Sequence, residues 1–446
     1  MTTPRKPGGR TVARLAAAAA AVAVAAAGLV GCSSGSGSGG DVGKTFTILQ
    51  YEDPKTAQGQ GWQLALEMFK KKHPDVKVDF QTTSFDAVRK NAKLTLGGNK
   101  VPDVVEFNKG NADGGQLASQ GLLAPLNDQV EKYGWDKKVT GGMQSFAKYD
   151  EQGKAGSGDW YGIPNIGEYV TFYYNKDLFA KAGISAEPKT MDEFVAAMQK
   201  LQAAGITPVS SSASTNQGFN QMWVWYSLVS AYADRKQIDD FMFLKGKVDF
   251  SADPWKKGTE QFQDWIDKGY LGTDLAGLTY EQANVNFLSG KTGMLIWNNG
   301  VFSRVKDQKD FAWGYFTLPG ANMSMGSSGH LWGVPAKAKN KDLAYDWIDT
   351  TLSPEVQNKI GELGGLPLAG DSSKITDPVT RAYTERFDGI VKADTLTFYP
   401  DYPVPGFLDF IQTNMAAMSN KNETADEYIQ KLQKFYDDGK KATDQG

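Results

Sequence analysis

Residues 45–107 alternate between two hydrophobic periods, and this alternation limits the fold more than any other feature of the chain. Residues 45–49 (TFTIL) have the β-branched and apolar character of a strand. Trp62, Leu66 and Phe69 then recur at helical spacing, and a basic cluster, Lys70-Lys71-Lys72, precedes the helix-stopping Pro74. Val76, Val78 and Phe80 alternate as a second strand, residues 85–96 read as a helix closed by Gly97-Gly98, and residues 103–107 (DVVEF) read as a third strand. Strand–helix–strand–helix–strand implies a parallel sheet with helices on its faces. Such sheets bind ligands outside the carboxyl ends of their strands. The loops after Leu49, Phe107 and, further on, Trp297 are therefore candidate binding segments.

A second block follows the first. Residues 169–174 (YVTFYY) predict a strand, and residues 177–182 a short helix ended by Gly183. Thr190 with Glu193 three positions later has the form of a capping box, which predicts a helix start. Helical patterns cover 223–232, 255–268, 280–288, 343–352, 407–418 and 426–435, with strands over 292–297 and 311–318. No internal repeat is visible at solenoid spacing. At about 150 residues per domain, 446 residues predict two to three domains.

The single cysteine, Cys32, excludes an intramolecular disulfide and a multi-thiolate zinc site. Its position is informative. Residues 1–14 hold Arg5, Lys6, Arg10 and Arg14 and no acid, and residues 15–30 are an apolar run, short for a transmembrane helix of about 20 residues. A basic segment, an apolar segment and small residues before a cut describe a secretory signal peptide over 1–31. The Leu29-Val30-Gly31-Cys32 ending resembles the bacterial lipobox, whose cysteine is lipidated on sulfur and becomes the mature N-terminus. Residues 32–43, rich in Gly and Ser, read as a flexible tether. The mature chain would be exported and held to the membrane surface by its lipid.

The formal net charge of −3 gives no basic footprint for nucleic acid. Phosphate-binding, dinucleotide and zinc-protease motifs are absent. A G-x-S-x-G match at residues 31–35 lacks the strand and helix that a nucleophile elbow requires. His73, in Lys-Lys-His-Pro, reads as a surface residue, whereas His330, in a Gly/Ser loop, is a candidate to line a site. A carboxylate pair of the glycosidase type depends on spacing in three dimensions, which the sequence leaves open.

Eleven tryptophans carry more weight, because several aromatics stand next to amides or carboxylates in predicted loops: Tyr51-Glu52-Asp53, Asn220-Gln221-Met222-Trp223, Trp297-Asn298-Asn299 and Tyr399-Pro400-Asp401-Tyr402. Flat rings cover the C–H faces of a sugar, and planar amides and carboxylates pair with its hydroxyls. The competing use of each ring is to fill a large core.

The segment Tyr161-Gly162-Ile163-Pro164, then Tyr173-Tyr174-Asn175-Lys176-Asp177-Leu178-Phe179, Ala182-Gly183-Ile184 and Pro188-Lys189-Thr190-Met191-Asp192-Glu193-Phe194, resembles the extracellular solute-binding proteins of ABC sugar importers, the group that includes the maltose-binding protein. Pro102-Asp103-Val104-Val105, Phe287-Leu288-Ser289-Gly290-Lys291-Thr292-Gly293-Met294 and Leu318-Pro319-Gly320 match the same pattern. Met191 stands where the family usually has Trp.

The resemblance implies an α/β, two-lobed, periplasmic-binding-protein-like (clamshell) fold of type II with hinge-crossing segments near Glu168–Tyr169, Leu318–Gly320 and Ser353–Pro354. Lobe one would hold 44–167 and 319–353, and lobe two 168–318 and 354–446. By position it implies ligand contacts from Tyr51, Glu52 or Asp53, from Asn108 and Lys109, from Glu168, and from Asn220, Trp223 or Trp225. Further contacts would come from Asn298 and Asn299, His330 and Trp332, and Asp401 and Tyr402. The family's stacking tryptophan after the Ala-Met strand is replaced by Asn298-Asn299-Gly300; Trp297 either compensates or faces the core. The implied protein is a monomeric, lipid-anchored receptor that hands a di- or oligosaccharide to a membrane permease, without metal, cofactor, catalytic residues or nucleic acid. Its rivals are a secreted, lipid-anchored glycoside hydrolase and a surface adhesin.

Overall fold

The computed structural model describes residues 45–139, 141–214, 217–273 and 275–445. Cys32, the signal peptide over 1–31 and the tether over 32–43 lie outside the described residues. No helix among the described residues is long and apolar enough to cross a membrane.

Twelve strands organise the fold: β1 (Thr45–Gln50), β2 (Lys77–Thr82), β3 (Val104–Phe107), β4 (Lys148–Tyr149), β5 (Asp159–Trp160), β6 (Ile163–Pro164), β7 (Glu168–Asn175), β8 (Thr207–Ser210), β9 (Thr292–Asn298), β10 (Trp313–Phe316), β11 (Gly326–Ser327) and β12 (Leu331–Gly333). The first sheet runs β2-β1-β3-β12-β6, the second β10-β7-β9-β8 with β11 on the start of β7, and β4-β5 is a small hairpin. β1 pairs in parallel with β2, Thr45 opposite Lys77, and with β3, Ile48 opposite Val104.

The three-strand parallel unit is therefore as the periodicity predicts, but the sheets that contain it are mixed. β12 joins β3 antiparallel with Leu331 opposite Phe107. In the second sheet β7 is antiparallel to both β9 and β10, and only β8–β9 is parallel. Strand direction depends on how the chain returns, and no local period records that.

Helix starts follow their caps. Thr56 accepts from the Gly59 N–H at 3.0 Å to open Ala57–Lys72, and Ser84 accepts from Ala87 to open Phe85–Gly97. At Met191–Ala203 the predicted capping box is half formed. Thr190 Oγ1 accepts from the Glu193 N–H at 3.2 Å, but Glu193 accepts the N–H of Lys189, one residue earlier than the box requires.

Two apolar cores result. One lies under the second sheet and is built with Phe219–Tyr232, Trp255–Asp267, Phe407–Ser419 and Ala425–Gln445; the other lies under the first sheet with Ala57–Lys72, Lys341–Thr351 and Pro354–Glu362. The last of these helices packs on the first: Ile360 sits so close to Gly61 that a Cβ there would lie 2.4 Å from it. The chain passes from the first sheet to the second between β6 and β7, and back between β11 and β12. Glu168 begins β7 and His330 precedes β12, so a residue at each crossing is available to one shared site.

Candidate ligand-binding cleft

A cavity of about 290 Å³ lies at the carboxyl ends of β1, β3 and β9, between the two crossings. The loop after β1 supplies Tyr51, Glu52 and Asp53, and the loop after β3 supplies Asn108. Glu168 comes from the first position of β7, Trp297 and Asn298 from the end of β9, His330 from the return crossing, and Tyr399, Asp401 and Tyr402 from the loop before Phe407–Ser419. All three candidate loops line this one cavity.

The loop after β3 reaches Tyr402 because residue 110 is glycine. Gly110 has φ of +90°, and a Cβ there would stand 2.6 Å from Cβ of Tyr402. No other residue permits that backbone sign and that approach together.

Aromatic rings form two walls. On one, Trp223 and Trp297 have centroids 4.5 Å apart, Tyr280 stacks on Trp297 at 5.1 Å and 19°, and Tyr399 lies along Trp223 at 6.0 Å. Phe219 closes this wall at 6.1 Å from Trp223. On the other, Tyr51 meets His330 edge-on at 4.6 Å and Phe85 at 5.6 Å. Trp297 thus faces the cleft and not the core alone.

Polar groups fill the floor. Glu168 is 6 % exposed and its carboxylate has no hydrogen-bond partner among the described residues. Burial pushes the Glu52 carboxyl up to about 7, beside His330 Nδ1 at 3.4 Å. The same burial drives His330 down to about 3, so this imidazole is neutral at neutral pH. Behind Glu52, Glu106 accepts from Asn165 Nδ2 at 2.7 Å and from the Tyr51 N–H at 3.4 Å, and burial holds its carboxyl well above the usual range. Asn108 Nδ2 donates to Asp113 at 2.6 Å; burial raises Asp113 to about 7 and also raises Asp401. Glu52, Glu106 and His330 each bring one ligand-type atom within 4.8 Å of the others. The protein already occupies this trio: both Glu106 oxygens accept N–H bonds, and Glu52 meets His330.

Of the fourteen sequence-derived candidates, Tyr51, Glu52, Asn108, Glu168, Trp223, Trp297, Asn298, His330, Asp401 and Tyr402 meet at the cavity. Four do not line it. Lys109 is fully buried beneath, its Nζ without a hydrogen-bond partner among the described residues and 5.3 Å from the Tyr402 ring centre; burial lowers it to about 8. Asn220 donates to the Ile296 carbonyl at 3.0 Å and accepts from Ser212 Oγ at 2.8 Å, which ties its helix to β9. Asn299 is buried and donates to the Gly167 carbonyl at 3.4 Å. Trp332 is core, 5.7 Å from Trp62 and 5.5 Å from Trp347. Trp225 is core as well, bonded to Thr259 Oγ1 at 2.9 Å.

Sequence reasoning missed Thr56, Gln58, Phe85, Phe219, Met222, Tyr280, Gly300 and Tyr399 as lining residues. Three carried a signal. Phe85 and Tyr280 follow directly on the N-caps Ser84 and Thr279, so each sits at a helix mouth, and Tyr399 belongs to the aromatic–acidic loop already singled out.

A family model described as bacterial extracellular solute-binding protein matches residues 53–358. The diacetylchitobiose binding protein DasA of Streptomyces coelicolor is 24% identical over 346 residues, 74% of each chain. A probable sugar-binding periplasmic protein of Mesorhizobium japonicum is 24% identical over 266 residues, 57% of this chain and 59% of that one. Among solved structures, a chitin oligosaccharide binding protein superposes with a TM-score of 0.77 at 24% identity, over 89% of this chain and 98% of the other. The GacH receptor of Streptomyces glaucescens superposes with a TM-score of 0.71 at 22% identity, over 90% and 99%.

Proposed function

The chain belongs to the bacterial extracellular solute-binding proteins, and from that premise we propose that it is the carbohydrate receptor of an ABC importer. The observation that carries this reading is the cleft itself. Two aromatic walls face each other across a floor of carboxylates and amides, at the place where the chain crosses between its sheets. The rings cover a sugar's C–H faces while Glu168, Asn298 and Asp401 reach its hydroxyls. The relatives named for sugars or chitin oligosaccharides support the same class. The fold is the two-lobed type II α/β architecture of its structural neighbours.

The first sheet and its helices form one lobe and the second sheet and its helices the other, with 354–362 going to the first on its packing against Ala57–Lys72. Ligand touching Tyr51 and His330 on one side and Trp223 and Trp297 on the other favours the closed form, because only that form makes both sets of contacts. A permease then distinguishes loaded from empty receptor. Cys32 anchors the protein to the cell membrane through its lipid, and the receptor works as a monomer.

The hydrolase rival requires a sugar-cleaving carboxylate pair, and the family is one of binding proteins. Incubation with labelled oligosaccharides decides between them: intact sugar recovered after saturation supports the receptor, and cleaved sugar refutes it.

A further inference from the structure

The cavity wall has an unbalanced charge inventory. Among the described residues four acidic side chains line it, Glu52, Asp53, Glu168 and Asp401, and no lysine or arginine does. His330, the sole basic side chain on the wall among the described residues, is neutral at neutral pH for the reason given above. Lys109 is the nearest cation. It lies under Tyr402, outside the lining, and one ammonium faces both Glu168 and Asp401 as well as Glu52 and Glu106. Arg89 bonds Asp409 at 3.0 Å from outside the lining, and its charge reaches Asp401 as well.

Three further observations point outward to a ligand. The Glu168 carboxylate lines the cavity, nine-tenths buried, with no hydrogen-bond partner among the described residues. The Tyr51 and Tyr399 hydroxyls, buried on the two facing walls, have none either. The rings of Trp223, Trp297 and Tyr280, whose π systems are electron-rich, line the same space. Unpaired carboxylate and aromatic faces around one cavity are the two elements that stabilise a bound cation, by Coulomb attraction and by cation–π contact.

We propose that the ligand of this cleft is a saccharide carrying a positively charged nitrogen, taken in preference to its neutral counterpart. This rests on the carbohydrate-receptor reading and narrows it. The ammonium lies between Glu168 and Asp401, the neutral rings of the sugar lie along the tryptophan wall, and the charge that the protein leaves uncompensated is completed by the ligand. A neutral sugar of the same shape satisfies the hydroxyl partners but brings no charge to Glu168 and Asp401, which then share the Lys109 ammonium with Glu52 and Glu106.

Two matched ligand pairs test this by isothermal titration calorimetry on the intact protein at about pH 7. One pair is the β-1,4-linked glucose disaccharide and the corresponding disaccharide of unacetylated glucosamine. The other is an α-1,4-linked glucose oligosaccharide and a pseudo-oligosaccharide with a secondary amine in place of one glycosidic oxygen. The expected result is that the amine member of at least one pair binds tenfold or more tightly than its neutral partner. Glu168→Gln should cut that ratio to threefold or less, whatever it does to neutral-sugar affinity; Asp401→Asn is the second variant if the first fails to fold. Neutral members binding as tightly as their amine partners would overturn the inference and leave the sugar receptor standing. Binding by no member of either pair would overturn it too, and the receptor reading falls with it only if a wider panel of neutral oligosaccharides also gives no heat.

Discussion

Trp223 and Trp297 place their ring centroids 4.5 Å apart at an interplanar angle of 57°, although one belongs to a helix and the other ends a strand. Neither ring is positioned by its own element alone: Tyr280 stacks on Trp297 and Tyr399 on Trp223, so the pair forms one rigid aromatic face. Replacing Trp297 with Ala should weaken saccharide binding at least tenfold, about 1.4 kcal/mol, with near-native circular dichroism. Unchanged affinity in calorimetry would remove the face from the account.

The same tools separate cleft from core. Trp332 lies between Trp62 and Trp347 and does not reach the cavity. Trp332→Ala should cost about 3–5 kcal/mol of stability in denaturant titration, while the fraction that remains folded keeps its ligand affinity within threefold. A tenfold loss of affinity in the folded fraction would contradict that placement.

The backbone at residue 110 gives a third outcome. With φ of +90° and Tyr402 where a Cβ would go, Gly110→Ala should lower stability by about 2 kcal/mol or more and displace Asn108 from the cleft. A variant with wild-type melting temperature and affinity would show that the loop tolerates a side chain.

Burial raises Glu52 from its ordinary value of 4.5 to about 7. The folded protein therefore holds this proton where the unfolded chain has lost it, and stability attributable to Glu52 falls as pH rises from about 4.5 to about 7 and is level above that. Glu52→Gln removes the penalty. Its stability relative to wild type should rise across that window, by a few kcal/mol at most, in paired melts between pH 4.5 and 8. A constant difference across the window would mean that Glu52 titrates normally. His330 works in the opposite sense, since its lowered value withholds a proton from the folded state between about 3 and 6.5, so the comparison must be made between variant and wild type at each pH.

Much of the frame was legible in the sequence. Thr190 announces its helix, and β1, β2 and β3 follow from apolar period alone. The antiparallel course of β7 against β9 and β10 was not legible, because strand direction is decided by long-range return of the chain. In the cleft, a loop at a strand end is visible locally, so Glu52, Asn108 and Asn298 could be named. Asn220 and Trp332 are of the same residue types as site residues, yet one braces β9 and the other fills the core. Side-chain direction separates the two cases, and composition carries none of it. Phe85 and Tyr280 escaped notice because helix-mouth aromatics look like ordinary amphipathic positions.

The N-terminal expectation has its own check. Cys32→Ser should release the protein from the membrane fraction of cells that export it, since one lost thioether removes the acyl anchor. Retention of the variant in that fraction would refute lipidation at Cys32.

The most direct test of the carbohydrate-receptor claim is calorimetry of the purified protein against xylo-, cello-, malto- and chito-oligosaccharides, with the sugar recovered and sized afterwards. The account predicts at least one sugar bound one-to-one with micromolar or better affinity, about −8 kcal/mol, and recovered intact. No heat with any saccharide, or recovery of cleaved sugar, would contradict it.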